Sequence, residues 1–91
     1  MAITAIFEGA DFSQQQYEQT LKGLEDAGLG VPNGRIHHQA AAMETGMFIV
    51  DIWESEELLG KFAETLIPII AATGATPPEP RILQLKNTIT T

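Results

Sequence analysis

The chain contains no cysteine, and this absence removes several kinds of chemistry at once. Disulfides, thiolate nucleophiles, iron–sulfur clusters and cysteine-ligated zinc all require a thiol. Basic residues are also scarce, because five Lys and Arg stand against twelve Asp and Glu, for a formal net charge of −7. Binding to phosphate backbones or anionic lipids draws on clustered positive charge. We therefore expect neither nucleic acid nor a membrane as a partner.

Long apolar runs are missing too, so no segment reaches the roughly 20 apolar residues that span a bilayer. No basic leader precedes the first apolar segment, and we expect a cytoplasmic protein. The 91 residues, 44% of them hydrophobic, fit one small domain over residues 1–91. The chain also lacks a glycine-rich phosphate loop and a cluster of metal ligands. We therefore expect no flavin, heme, metal or other cofactor.

Hydrophobic periodicity predicts six elements in the order strand, helix, strand, strand, helix, strand, with strands over 2–8, 35–43, 47–53 and 81–87. Ser13 and Gln16 have the spacing of a capping box at the start of the first helix, and Ser55 is the predicted N-cap of the second. Pro68 is expected to kink or stop the second helix. The order predicts a ferredoxin-like α+β fold, βαββαβ, with a four-stranded antiparallel sheet and both helices on one face.

The third strand is the most informative segment, because both of its faces are largely apolar. Side chains alternate along a strand, so one face holds Met47, Ile49, Asp51 and Trp53, and the other holds Phe48, Val50 and Ile52. One face packs on the helices, and the second needs a second subunit, a ligand cavity, or both. We therefore expect a homodimer through the open face of the sheet.

Three segments carry a resemblance to a known group of proteins: 34–40 (GRIHHQA), 50–57 (VDIWESEE) and 66–68 (LIP). With the order of elements, they resemble the dimeric α+β barrel superfamily, which includes antibiotic-biosynthesis monooxygenases, heme-degrading monooxygenases and stress-responsive barrel proteins. The resemblance covers nearly the whole chain, and is strongest to small stand-alone members of unassigned activity. It implies two sheets packed face to face around a central cavity in each half. Neither predicted helix contains the histidine of the heme-degrading branch, so heme degradation is not expected.

The register of the central hairpin decides which side chains meet. A two-residue turn sets His38 opposite Asp51 and Ile36 opposite Trp53, which gathers a histidine, an acid and an indole on one face. A three-residue turn shifts the pairs and sets His37 opposite Trp53. We prefer His38, and both registers stay open at this point. Because His37 and His38 are adjacent, they lie on opposite faces of the strand and do not chelate one metal ion.

Roles for these residues follow from the resemblance. It implies that His38 is a catalytic acid or base, and that Asp51 orients His38 or holds a substrate hydroxyl. It also implies a ligand-binding wall of Trp53, Ile36, Ile49 and Met47. The predicted function is binding of a small apolar or aromatic molecule in an internal cavity, by a cofactor-independent monooxygenase or isomerase. The alternative is a non-catalytic ligand-binding or interaction module with the same cavity.

Structural interpretations compete with each of these roles. Trp53 can be plain core packing, because an indole buries a large area. His38 and Asp51 can form a satisfied buried hydrogen bond without any catalysis. Arg35 is interpreted as a charge that protects the open edge of the sheet. Tyr17 is interpreted as part of the narrow apolar stripe of the first helix.

Overall fold

Four strands and two helices follow one another in the predicted order in a computed structural model, which describes residues 1–90 of the chain. The elements are β1 (Ile3–Gly9), α1 (Gln14–Asp26), β2 (Arg35–Ala42), β3 (Met47–Trp53), α2 (Glu56–Ala72) and β4 (Arg81–Gln84). The strands form one antiparallel sheet in the order β2-β3-β1-β4. The ferredoxin-like α+β fold predicted from the sequence is confirmed.

Both helices begin where the sequence predicts. The Ser13 side chain accepts from the Gln16 amide while the Gln16 side chain accepts from the Ser13 amide, which completes the capping box of α1. Ser55 caps α2 through a single hydrogen bond, which its hydroxyl accepts from the Leu58 amide. Of the expected kink or stop at Pro68, the stop does not occur, because α2 continues past this residue and ends at Ala72, before Gly74. Pro68 is exposed, so the backbone N–H that it lacks is not missing from a buried position. Neither helix within residues 1–90 is long and apolar enough to cross a bilayer.

The two faces of the sheet have different surroundings. On the face covered by the helices, alternate residues of β1 and β3 are buried: Ile3, Ala5, Phe7, Met47, Ile49, Asp51 and Trp53. On the bare face, Ile52 is buried, Ile6, Phe48 and Val50 are half-buried, and Leu83 is 49% exposed. The residues predicted for the site therefore lie on the helix-covered face, and a second apolar face remains without cover.

The hairpin between β2 and β3 has the two-residue turn. The Met43 amide donates to the Gly46 carbonyl at 2.9 Å, and His38 lies opposite Asp51. The register built on a three-residue turn is therefore wrong. Gly46 has a φ of +92°, and a Cβ at this position would lie 1.9 Å from the carbonyl oxygen of Gly9. Only glycine fits where the hairpin approaches the end of β1.

A β-bulge interrupts β2 at its first residues. His37 pairs with Ile52 and Arg35 pairs with Trp53, so Ile36 is an extra residue without a partner on β3. The expected pairing of Ile36 with Trp53 is therefore wrong. The bulge places Arg35 on the helix-covered face, opposite Trp53. In a regular strand, Ile36 would occupy this position.

Candidate functional site

Four side chains form one hydrogen-bonded row, here called the polar chain: Tyr17, His38, Asp51 and Trp53. The Tyr17 hydroxyl lies 2.6 Å from Nε2 of His38, and Nδ1 of His38 lies 2.6 Å from Oδ1 of Asp51. The Trp53 indole N–H donates to Oδ2 of Asp51 at 3.2 Å. The four residues come from α1, β2 and β3, so tertiary packing assembles the polar chain.

The direction of these hydrogen bonds follows from what each group can donate. An indole nitrogen only donates, so Asp51 accepts from Trp53, and an ionised carboxylate accepts with both oxygens. His38 then donates its Nδ1 proton to Asp51 and keeps a lone pair on Nε2. Tyr17 donates its hydroxyl proton to that lone pair. The neutral imidazole is therefore set to receive a proton at Nε2, and Asp51 is placed to stabilise the resulting positive charge.

The polar chain is held rigidly and is fully paired. Asp51 is only 3% exposed, yet no buried side-chain nitrogen or oxygen within residues 1–90 lacks a hydrogen-bond partner. The Tyr17 and His38 rings are nearly parallel, with an interplanar angle of 12° and centroids 5.9 Å apart, and the Tyr17 ring meets Phe12 edge-on at a centroid distance of 6.2 Å. The contact with Phe12 and the hydrogen bond to His38 hold the phenol in place, so its hydroxyl is preorganised toward His38.

A small cavity of about 40 Å³ lies beside the polar chain, between the sheet and the helices. Its walls are mostly apolar and include Phe7, Phe12 and Phe62, while Tyr17, His38, Asp51 and Arg35 supply the polar groups. The volume is room for about three water molecules. The cavity lies within one chain, on the side of the sheet opposite to the face-to-face cavity that the resemblance implied.

An open cleft of about 340 Å³ lies between α1 and the β2–β3 hairpin. Ala40, Ala42 and Met47 form its sheet side. Tyr17 and Leu21 line both the cleft and the inner cavity, so these two α1 residues separate the two spaces. The small side chains of β2 leave this space open.

The residues predicted for the site are dispersed over these spaces. His38, Asp51 and Ile49 line the inner cavity, and Met47 lines the outer cleft. Trp53 is fully buried and does not line either space; it contacts the site by its hydrogen bond to Asp51 and packs on Phe62 at 5.1 Å between ring centroids. The structure therefore places Trp53 behind the polar chain and not in the wall.

Ile36 does not belong to the site. It is 58% exposed and lines neither space, because the bulge gives its predicted place to Arg35. The guanidinium carbon of Arg35 lies 6.0 Å from the centre of the Phe62 ring. The interpretation of Arg35 as an edge charge thus misses its place in the cavity wall.

Tyr17 is the other residue that sequence reasoning missed. The spacing of Tyr17 with the leucines of α1 favours a packing role, and its ring does pack on Phe12. The available signal is chemical: the hydroxyl of a partly buried tyrosine needs a hydrogen-bond partner. Its partner lies 21 residues away in β2, which no local pattern indicates.

Metal ligation has no support in the described residues. Within residues 1–90, no group of three or more His, Asp and Glu side chains is placed to hold a metal ion. His37 pairs with Ile52 and His38 with Asp51, so the two imidazoles lie on opposite faces of the sheet.

Searches by sequence find no protein-family model and no curated protein that matches the chain. Solved structures do match. A candidate antibiotic biosynthesis monooxygenase from Chloroflexus aurantiacus J-10-fl superposes with a TM-score of 0.68 and 13% identity over 99% of this chain and 98% of that one. A second candidate of the same description, from Deinococcus radiodurans, gives 0.61 and 13% over 100% and 98%.

A third match is a monooxygenase of Streptomyces coelicolor, solved in complex with the ligand nanaomycin D. It superposes with a TM-score of 0.59 and 16% identity over 99% of this chain and 91% of that one. This chain has the antibiotic biosynthesis monooxygenase-like fold. The resemblance stated from the sequence is confirmed at the level of the fold, and the match spans nearly the full length of each chain.

The single tyrosine makes the protonation of the site directly measurable. Burial raises the pKa of the Tyr17 phenol, Arg35 opposes the rise, and Asp51 adds to it. We expect tyrosinate absorbance of the folded protein to appear at a higher pH than in the chain unfolded by denaturant, where the phenol titrates near about 10. The contribution of Tyr17 to stability should be fully present below pH about 10 and be lost as pH rises through the raised folded pKa. A folded-state midpoint at or below that of the unfolded chain would contradict this environment for Tyr17.

Proposed function

We propose that this protein binds a small apolar or aromatic molecule with an acidic hydroxyl and removes its proton through Tyr17, His38 and Asp51. The observation that carries the proposal is the position of the polar chain on the wall of an otherwise apolar cavity. An apolar cavity with a few convergent polar groups is the usual form of a small-molecule site. The Streptomyces coelicolor monooxygenase of the same fold, with its bound ligand, adds support.

The proton moves in two coupled transfers. The ligand hydroxyl donates to the Tyr17 oxygen, whose own proton lies on the hydrogen bond to Nε2 of His38. As the ligand proton reaches Tyr17, the Tyr17 proton passes to His38. The imidazolium is then stabilised by the Asp51 carboxylate, 2.6 Å from Nδ1. General base catalysis of this kind contributes about 10²–10⁴-fold to a rate.

Two reaction types share this first step. In an isomerase, the resulting anion takes the proton back at a different atom. In a cofactor-independent monooxygenase, the anion of a phenol reacts with O₂, so that one oxygen atom replaces a ring hydrogen to give a quinone and the other leaves as water with two substrate hydrogens. Proton removal is the part that the described residues support.

The ligand reaches this position through the outer cleft. The inner cavity has room for about three water molecules, whereas the adjoining cleft of about 340 Å³, which is open to solvent, is the larger space. Tyr17 and Leu21 separate the two spaces, and Leu21 is 38% exposed. We propose that displacement of Leu21 joins the cavity to the cleft, so that a ring lies in the cleft with its hydroxyl toward Tyr17.

The second candidate function is a non-catalytic binding module, and the small inner volume favours it. A fully paired polar chain also serves as a rigid structural contact, because every buried polar atom within residues 1–90 has a partner. In this case the outer cleft binds the ligand and the polar chain only supports α1. The two candidates differ in whether the Tyr17 hydroxyl reacts with the ligand.

Binding and proton exchange of 1-naphthol test the proposal. The protein should bind 1-naphthol about fivefold more tightly than 1-methoxynaphthalene, since one hydrogen bond contributes about 1 kcal/mol. It should also accelerate deuterium incorporation at the ring carbon beside the hydroxyl, measured by mass spectrometry in heavy water. Tyr17→Phe keeps the ring and should slow this exchange by about 10²–10⁴-fold.

Thr20→Val is the matched control, because it removes a hydroxyl from the same cavity wall that bonds only to the helix backbone at Gln16. Its exchange rate should equal that of the native protein. If both naphthalenes bind but deuterium exchange is not accelerated, proton removal is refuted and the non-catalytic binding module remains as the function. If neither 1-naphthol nor 1-methoxynaphthalene changes Trp53 fluorescence, and calorimetry detects no binding of either, the cavity is refuted as a ligand site.

We also propose that a second copy of the chain covers the bare face of the sheet. Ile6, Phe48 and Val50 form an apolar strip across β1 and β3, and Leu83 extends it onto β4. A protein of this size that leaves such a face open would associate through it. A two-fold dimer joined sheet to sheet buries the strip in both copies and leaves the inner cavity accessible from the helix side.

A further inference from the structure

Arg35 is a cation in an apolar wall, and the bulge of β2 puts it there. It pairs with Trp53 on β3 and lines the same inner cavity as His38 and Asp51. The side chain is half-buried and lies against the face of Phe62, with its guanidinium carbon 6.0 Å from the ring centre. Its position therefore depends on a local irregularity of the sheet and on aromatic packing.

No carboxylate in residues 1–90 neutralises this guanidinium. The ion pairs of the described residues are Lys22 with Asp26 and His38 with Asp51, and no side-chain hydrogen bond involves Arg35. Asp51 is the one acid in the cavity wall, and His38 and Trp53 occupy both of its oxygens. The face of Phe62 offsets only part of the cost of a partly buried cation that has no anionic partner, so an arginine in this place favours an anion from outside the chain.

We propose that Arg35 binds a carboxylate of the ligand, so that the ligand class is a small aromatic or apolar hydroxy acid. This rests on the proposed function, because it assigns a second group to the same ligand. The planar guanidinium donates two parallel hydrogen bonds to a carboxylate. The one free cation in the cavity wall matches one negative charge on the ligand. The protein's net charge of −7 disfavours ligands that carry several negative charges.

The positions of the two groups agree with one ligand that contacts both. Arg35 and His38 are successive residues of β2 on the helix-covered face, since His37 faces the other way and Ile36 is the bulge residue. Neighbouring positions on one face of a strand lie about 7 Å apart. With the ring in the outer cleft, both groups lie at its inward end: the hydroxyl is directed toward Tyr17, and the carboxylate extends past Tyr17 toward Arg35.

The test compares 2-naphthoate with 2-naphthamide, which have the same ring and differ in charge. Binding is followed by calorimetry and by the fluorescence of the single tryptophan, Trp53. The native protein should bind naphthoate at least tenfold more tightly than naphthamide. Arg35→Met keeps an apolar stem against Phe62 and should abolish this preference while binding of naphthamide stays unchanged.

Lys61→Met is the matched control, because it removes the same charge from the exposed surface of α2. It should keep the preference for naphthoate, which separates a local contact from the change in net charge. Arg35→Lys keeps the charge without the planar fork and should reduce the preference only in part. The comparison of the two probes on the native protein tests the proposal even if a variant fails to fold.

Equal affinity of the native protein for both probes would overturn the carboxylate assignment and leave the proposed function standing. Loss of the preference in Lys61→Met to the same extent as in Arg35→Met would also overturn it. If neither probe binds and 1-naphthol does not bind either, the ligand cavity itself is refuted, and both proposals fail together.

Discussion

Replacing Asp51 by asparagine is expected to stop proton transfer while leaving the fold intact. The amide oxygen of the new residue keeps the hydrogen bond from Trp53, because turning the amide would set two donors against each other. The amide nitrogen then faces Nδ1 of His38 and donates to it. His38 must then carry its proton on Nε2 and donate it to the Tyr17 hydroxyl. Both hydrogen bonds of His38 have the opposite direction from those in the native protein, so Nε2 no longer receives a proton.

The expected change is a loss of about 10²–10⁴-fold in the naphthol exchange rate with a loss of about 1 kcal/mol or less in the free energy of unfolding. Nitrogen chemical shifts of the imidazole rings report the tautomer, and the chain has only two histidines to assign. His38 should change from an Nδ1–H to an Nε2–H tautomer. An unchanged tautomer with unchanged exchange would contradict the direction derived for the polar chain.

Asp51→Ala is the comparison variant that distinguishes the role of the carboxylate in proton transfer from its role in the stability of the fold. It removes the acceptor of both His38 and Trp53, and each buried group left without a partner costs about 1–3 kcal/mol. The sum of about 2–6 kcal/mol is a large part of the stability of a small domain. Chemical denaturation should therefore rank native, asparagine variant and alanine variant in that order. Equal destabilisation of both variants would show that the carboxylate has a purely structural role.

Placing a charge at the centre of the bare face is the second change with a large expected effect. Phe48 lies on β3 in the middle of the apolar strip, and a two-fold dimer brings two copies of it into the interface. Loss of a buried aromatic side chain costs about 1.5–3 kcal/mol per copy. Phe48→Glu should thus raise the dimer dissociation constant by at least about 10²–10⁴-fold, before the cost of the buried charges is added.

Gln15→Glu is the control for this change, because it adds the same charge on the exposed surface of α1. Light scattering at micromolar concentration should find a dimer for the native chain and for this control, and a monomer or aggregate for Phe48→Glu. A native chain that is monomeric and well behaved under these conditions would refute the dimer. The ligand cavity would be unaffected, because it lies on the other side of the sheet.

Local rules predict most of this fold correctly. The alternation of side chains in β3 places Asp51 and Trp53 on one face, since the period of a strand depends on nothing beyond the strand. The capping residues of both helices are equally local. The pairing of His38 with Asp51 follows from the length of one turn. These features require only residues that are close in the sequence.

The site is harder to predict because packing decides it. The partner of the Tyr17 hydroxyl is set by how α1 lies on the sheet, and the sequence shows only an aromatic residue in an apolar stripe. The place of Arg35 is set by one bulge, which moves this first residue of β2 to the other face of the sheet. Alternation alone assigns that place to Ile36. The polar groups of the cavity thus depend on contacts between elements that the sequence does not specify locally.

The bulge also affects how the sheet ends. β2 is an outer strand that pairs only with β3 among the described residues, and a regular outer strand presents a row of free amide and carbonyl groups to any other extended chain. A bulge breaks that row and increases the local twist. The irregularity that directs Arg35 into the cavity therefore makes the first part of this edge a poor template for further strands. Sheet growth by edge addition is therefore disfavoured at the Arg35 end of β2, while the apolar face of the sheet remains free to pair.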